Sequence, residues 1–157
     1  MGPNIFARLY RWLYQIVSGV SLPRLDAEVA PSETISRYLL QSGHYNASTG
    51  RVKSRAFHPA PRDHKTSVFR TQGLKEGKIW KLGEIYVAQP LGKELRARAE
   101  LSVANVTAVG LRVESKEPPP RHGNIIDWPA EKHEWMSRAQ EVAEEATLRL
   151  RVPNSVA

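Results

Sequence analysis

The 157-residue sequence contains no cysteine. This absence excludes disulfide frameworks, thiolate zinc sites, iron–sulfur clusters and cysteine nucleophiles. It is compatible with a reducing compartment, and we expect a cytoplasmic protein. The length suits one domain and allows a core large enough to fold without disulfides or metal.

Long hydrophobic runs are lacking as well. The most apolar stretch covers residues 5–22 and is interrupted by Arg8, Arg11 and Gln15, whereas a spanning helix needs about 20 mainly apolar residues. A signal peptide fits poorly, because the charges lie inside the stretch and no small-residue cleavage site follows it. We therefore predict neither a transmembrane segment nor a secretory leader.

Several motifs of catalysis are missing. The absence of a Gly-rich phosphate cradle argues against an enzyme driven by ATP or NAD. Ser36, Ser54, Thr66 and Ser67 lie in neither a G-x-S-x-G elbow nor an S-x-x-K box, so the sequence does not favour a serine or threonine nucleophile. The five histidines show no known metal-ligand spacing, and we predict no metal and no cofactor.

Positive charge is present in excess, and it is concentrated in one segment. The formal net charge is +7. Residues 51–100 contain twelve Lys or Arg and five Asp or Glu, so this segment alone accounts for the whole excess. A localised positive field attracts polyanions, of which nucleic acid is the commonest, followed by an anionic membrane surface or an acidic protein. The alternative interpretation is a solvated face with no partner.

Hydrophobic periodicity predicts one α+β domain over residues 23–152, followed by a frayed tail at 153–157. The predicted helices cover residues 4–20, 32–42, 74–88 and 130–146. The predicted strands form a small, mainly antiparallel sheet and cover residues 66–71, 95–103, 111–115 and 147–152.

The predicted helix at 4–20 has a broad apolar stripe that must be buried against something. We expect it to dock on its own domain, with a partner protein or a membrane interface as the alternatives. The residues that would make this contact are Ile5, Phe6, Leu9, Trp12, Leu13 and Ile16.

The first candidate site is a set of cations in the basic segment. Its predicted nucleic-acid-binding members are Arg51, Lys53, Arg55, Arg62, Lys65 and Arg70. Their guanidinium and ammonium groups neutralise phosphates, and the interleaved aromatic and histidine rings can stack on unpaired bases. The spacing matches no RNP, KH or helix-turn-helix module, so it indicates phosphate contact rather than sequence reading.

The second candidate site is a stiff loop. The run KEPPP at 116–120 leads into RHGNIIDWP at 121–129, with prolines on both sides. A histidine in such a loop, His122, can act as a general acid or base, and Asn124 can orient a carbonyl or phosphate group. The alternative is that both side chains hydrogen-bond to the backbone and simply hold the loop.

These features lead to three functional hypotheses. We favour binding over catalysis. The first is a nucleic-acid-associated binding module, acting as a small subunit or accessory protein of a bacterial multi-protein system. The second is a small metal-independent nuclease or phosphoryl-transfer effector of the toxin or defence type. It would use His122 and His64 with Arg70 or Arg121. The third is an adaptor that docks on a partner protein through the 4–20 helix.

Overall fold

Eight strands and three α-helices lie within residues 22–153, the part of the chain that the computed structural model describes. The strands are β1 (Thr34–Leu39), β2 (Tyr45–Asn46), β3 (Arg51–Val52), β4 (Thr66–Arg70), β5 (Ala97–Ser102), β6 (Arg112–Ser115), β7 (His122–Ile126) and β8 (Thr147–Leu150). The helices are α1 (Glu76–Gly83), α2 (Val103–Ala108) and α3 (Lys132–Glu145). A wider π-type turn, Glu84–Ala88, continues α1, and short 3-10 turns lie at Ser42–His44, Ser54–Phe57 and Gln89–Leu91.

Six strands pair into one antiparallel sheet in the order β6-β7-β4-β1-β5-β8, while β2 and β3 form a separate hairpin. Strand β1 lies near the centre, between β4 and β5. Strand β7 pairs with β4, so that Asn124 lies opposite Ser67 and His122 lies opposite Phe69. These two cross-strand pairs position the site described below.

Each face of the sheet has its own hydrophobic core, because successive strand residues point to opposite sides. On the first face, Ile35 and Val68 belong to a core that includes Phe57 of the 54–57 turn and buried residues of α3. On the second face, Tyr38 and Phe69 pack with buried residues of α1. The sheet is therefore covered by different elements on its two sides.

The α+β class and the antiparallel sheet are confirmed, but the predicted set of four helices is not. Residues predicted as a helix at 32–42 form strand β1 instead. Ile35 and Leu39 face the first core while Tyr38 faces the second. A strand buried on both faces places apolar residues at helix-like spacings, so periodicity alone misreads it.

Two of the remaining predicted helices are present, with different bounds. The helix predicted at 74–88 begins at Glu76, and its α-helical part ends at Gly83. The one predicted at 130–146 spans Lys132–Glu145. All four predicted strands are present and agree within two residues at each end. The loop predicted at 121–129 contains strand β7, which the sequence reading missed.

The predicted helix at 4–20 lies outside the described residues, as does the predicted tail beyond Pro153. Both remain predictions. Within residues 22–153, no helix combines the length and apolar character that crossing a bilayer requires.

Candidate functional site

Part of the basic segment is a hairpin that presents its cations to solvent. The side chain of Asn46 shapes the turn, since its Oδ1 accepts hydrogen bonds from the amides of Ser48 (3.0 Å) and Thr49 (3.1 Å). In strand β3 Val52 is buried in the first core, so alternation directs the neighbouring Arg51 and Lys53 outward. Both cations are exposed.

Four of the six predicted phosphate-binding residues are exposed and form no ion pair with any described residue. We call this set the basic surface; it comprises Arg51, Lys53, Arg55 and Arg62. Arg55 belongs to the 54–57 turn, and Arg62 lies in the loop that the Lys65 carbonyl closes by accepting from the amide of Ala60 (2.9 Å). Cations that have no carboxylate partner keep their charge available for a ligand.

The positive charge of the basic surface helps to lower the pKa values of two neighbouring histidines. Burial lowers the pKa of His58, and the nearby cations Arg55 and Lys132 lower it further. Burial also lowers the pKa of His44, followed by repulsion from Arg37, His58, Arg55 and Lys93. Arg55 therefore lies close enough to affect both rings, and positive charge accumulates on this side of the molecule.

The other two predicted phosphate-binding residues form ion pairs with carboxylates. Lys65 Nζ donates to Glu114 Oε1 at 2.7 Å, and this hydrogen bond raises the pKa of Lys65. Arg70 is only 3% exposed and donates two hydrogen bonds to Glu33. Arg70 is thus an internal ion-pair partner, which corrects its assignment to the ligand-binding set.

The histidines and arginines of the nuclease hypothesis do not share one pocket. His64 Nε2 hydrogen-bonds to the carbonyl of Pro129 (2.9 Å), at the end of β4 opposite to His122. Arg121 is buried, and its guanidinium donates to the carbonyls of Arg70, Gln72 and Pro23. Neither Arg70 nor Arg121 is accessible to a phosphate, so this quartet loses the cation it needs.

His122 instead forms a chain of hydrogen bonds with a serine. Its Nδ1 lies 2.7 Å from the carbonyl oxygen of Lys116, and its Nε2 lies 2.8 Å from Ser67 Oγ. A carbonyl oxygen can only accept, so Nδ1 carries the proton. Nε2 is therefore the acceptor, and the Ser67 hydroxyl donates to it.

A ring contact orients the imidazole of His122, and burial affects its protonation. The Phe69 ring meets the His122 ring edge-on, with centroids 5.4 Å apart. Burial lowers the pKa of His122, although the hydrogen bond to Lys116 opposes that shift. The ring is consequently neutral at pH 7, the form in which Nε2 can accept a proton.

Polar side chains continue from this pair across the second face. Asn124 lies opposite Ser67, and its Nδ2 lies 3.4 Å from Glu114 Oε1. Glu114 also accepts a hydrogen bond from Lys65, and this bond is the main cause that lowers the pKa of Glu114. Gly123 allows β6 to lie this close, because a Cβ there would overlap the carbonyl oxygen of Glu114.

The structure therefore connects one residue that the sequence singled out, His122, with one that it discarded, Ser67. Because flanking prolines predict a loop at 121–129, the sequence indicates no cross-strand partner for His122. The alternation in TSVFR does place Ser67 and Phe69 on one face of a strand.

A cavity of about 460 Å³ opens elsewhere on the second face, beside the start of α1. Its buried cation is Arg98, which is already neutralised by Glu76 (2.9 Å) and Glu100 (3.1 Å). The guanidinium also lies 5.0 Å from the centre of the Trp80 ring. These contacts make Arg98 part of a network that links α1 to the sheet.

Among residues 22–153, no three His, Asp or Glu side chains are grouped so as to hold a metal ion. Comparison with known proteins finds no matching family model, no matching curated protein and no matching solved structure.

Proposed function

We propose that this protein binds nucleic acid through the basic surface, as a small subunit or accessory protein of a multi-protein system in the bacterial cytoplasm. The observation that carries the proposal is the exposure of four cations that have no carboxylate partner within residues 22–153, Arg51, Lys53, Arg55 and Arg62. Nucleic-acid phosphates are suitable ligands for these cations. Each phosphate that a cation neutralises releases a condensed counterion, and this release favours binding. Phosphate contact of this kind positions a protein without reading sequence.

Fluorescence anisotropy with labelled 20-mers of single-stranded RNA, single-stranded DNA and duplex DNA tests the proposal. With about four phosphate contacts, the logarithm of the association constant should fall against the logarithm of salt with a slope of about −3. Binding should be similar for oligonucleotides of unrelated sequence. Absent or salt-insensitive binding to all three probes would refute the proposal.

A charge-matched pair of variants locates the interface. Arg51→Ala/Arg55→Ala removes two cations of the basic surface and should make the slope shallower by about 1.5. Lys75→Ala/Lys81→Ala removes two exposed cations at or beside α1, the helix that covers the opposite face of the sheet. The control should bind like the wild type, and equal losses in both variants would argue against a defined surface.

A further inference from the structure

Ser67 and His122 have the geometry of a nucleophile and its base, on the face of the sheet opposite to the 54–57 turn that carries Arg55. The donor–acceptor distance of 2.8 Å lies within the range needed for proton transfer. The Lys116 carbonyl fixes the tautomer and the ring orientation, the role that a carboxylate has in a catalytic triad. Both side chains are partly exposed.

We propose that Ser67 and His122 are a catalytic pair that hydrolyses uncharged carboxylic esters. Ser67 Oγ attacks the carbonyl carbon while His122 Nε2 takes the hydroxyl proton, and the carbonyl electrons move onto oxygen. When that oxyanion collapses, the ester C–O bond breaks and the leaving alkoxide takes the proton from His122. Water, deprotonated by the same nitrogen, then releases the acid and restores the Ser67 hydroxyl.

The neighbouring side chains define which substrates fit. Asn124 lies directly across from Ser67 on the same face, so one of its amide hydrogens can stabilise the developing oxyanion. Glu114, which contacts that amide, is paired with Lys65, so the charges beside the reacting group largely cancel. The pair offers no net charge to bind a phosphodiester or a carboxylate-bearing substrate, and this favours an uncharged ester.

Covalent labelling of the full chain tests the proposal. The native protein is treated with an uncharged alkyl fluorophosphonate, and the adduct is located by peptide mass spectrometry. We expect one adduct, on Ser67, and slow turnover of p-nitrophenyl butyrate. Ser67→Ala should abolish both while retaining the wild-type circular dichroism. Ser115→Ala, on strand β6 but on the opposite face of the sheet, should be labelled on Ser67 like the wild type.

Separate variants test His122 as the base and Asn124 as the oxyanion donor. His122→Gln should slow labelling by about 10²- to 10⁴-fold. Asn124→Ala should slow it by up to about 10³-fold, and this result stands even if the His122 variant fails to fold. The wild-type rate should fall in acid as Nε2 is protonated, with Arg37, Glu114 and Lys116 as the charged groups that act on the ring.

Three results would overturn the proposal: no adduct on the native protein, an adduct on a residue other than Ser67, or a rate that does not change with pH. The proposal is independent of nucleic-acid binding, because Ser67→Ala leaves the basic surface intact. A catalytic failure therefore says nothing about that surface.

Discussion

Arg70 and Glu33 form an ion pair in which both side chains are buried, at 3% and 8% exposure. Arg70 Nε donates to one carboxylate oxygen at 2.8 Å, and its terminal nitrogen donates to the other. Burial is the largest single influence and raises the pKa of Glu33, but the hydrogen bonds from Arg70 and the Ala30 amide and the charges of Arg70 and Arg121 together outweigh it, and the pKa is lowered. The pair fixes the chain before β1 against the end of β4.

Removal of the arginine alone should be severe. Arg70→Ala leaves the Glu33 carboxylate buried without its partner and should reduce the free energy of unfolding by about 3–5 kcal/mol. Urea denaturation followed by tryptophan fluorescence measures this. Arg62→Ala, at an exposed position, should change stability by less than about 0.5 kcal/mol. The double variant Arg70→Met/Glu33→Leu should recover most of the loss, and a single-variant loss below about 1 kcal/mol would contradict this account.

Stability should decline as the pH falls below neutrality. Burial is the largest cause that lowers the pKa values of His44, His58 and His122. Between these lowered values and about 6.5, the unfolded chain binds more protons than the native state, so acid favours unfolding. Each histidine contributes a slope of at most about 1.4 kcal/mol per pH unit. Urea midpoints measured from pH 7.5 to 5.5 should therefore fall.

The lowered carboxylate pKa values of Glu33 and Glu114 act in the same direction but at lower pH. Their contribution to stability is present above the ordinary carboxyl pKa of about 4.3 and is lost as the pH falls through the folded-state values. His122→Gln should flatten the curve between pH 7.5 and 5.5. A wild-type curve that stays flat over this range would contradict the assignment.

Two glycines of α1 should respond oppositely to alanine. A Cβ at Gly83 would overlap the ring of Tyr38, which is buried and fixed by a hydrogen bond to the Ile79 carbonyl. Gly83→Ala should therefore destabilise the protein by about 1–3 kcal/mol. A Cβ at Gly77 would meet open space, so Gly77→Ala should be neutral or stabilise by up to about 1 kcal/mol. Thermal unfolding of both variants measures the difference, and equal effects would argue against close helix–sheet contact.

Arg62 and Lys65 should differ in their effect on nucleic-acid binding. Arg62 is exposed and has no carboxylate partner among the described residues, whereas Lys65 is paired with Glu114. Arg62→Ala should make the salt slope shallower by about 1, and Lys65→Ala should leave it nearly unchanged. The anisotropy titrations described above measure both variants. A larger effect from Lys65 would mean that its ion pair opens when ligand binds.

The sequence predicts those parts of the fold in which apolar residues keep a regular period. Strand β5 is confirmed because LRARAELSV alternates apolar and polar residues, although Arg98 on its polar side is buried, and α3 because its apolar residues recur on one side. Strand β1 is missed because it is buried on both faces, where the period of two disappears. Strand β7 is missed because prolines before it and Trp128–Pro129 after it indicate a loop, although Ile125 and Asn124 are buried in the sheet.

In the candidate sites, too, the sequence predicts features that depend on neighbouring residues and misses those that depend on strand pairing. Exposure of Arg51, Lys53 and Arg55 agrees with the sequence reading, because local charge density is a local property. The contact between Ser67 and His122 joins residues 55 positions apart and depends on the pairing of β4 with β7. No short motif encodes such a pairing. The burial of Arg70 was hidden for the same reason, since Glu33 lies 37 positions away.

The central position of β1 has a consequence for synthesis of the protein. Residues of β1 pair with Ala97–Ser102, which the ribosome adds roughly 60 residues later. At about 5–20 residues per second, β1 waits several seconds with one or both of its edges unpaired. Unpaired apolar strands at this stage invite association between nascent chains. The growing polypeptide is therefore most prone to association during that interval, and slower translation before residue 97 should lower its soluble yield.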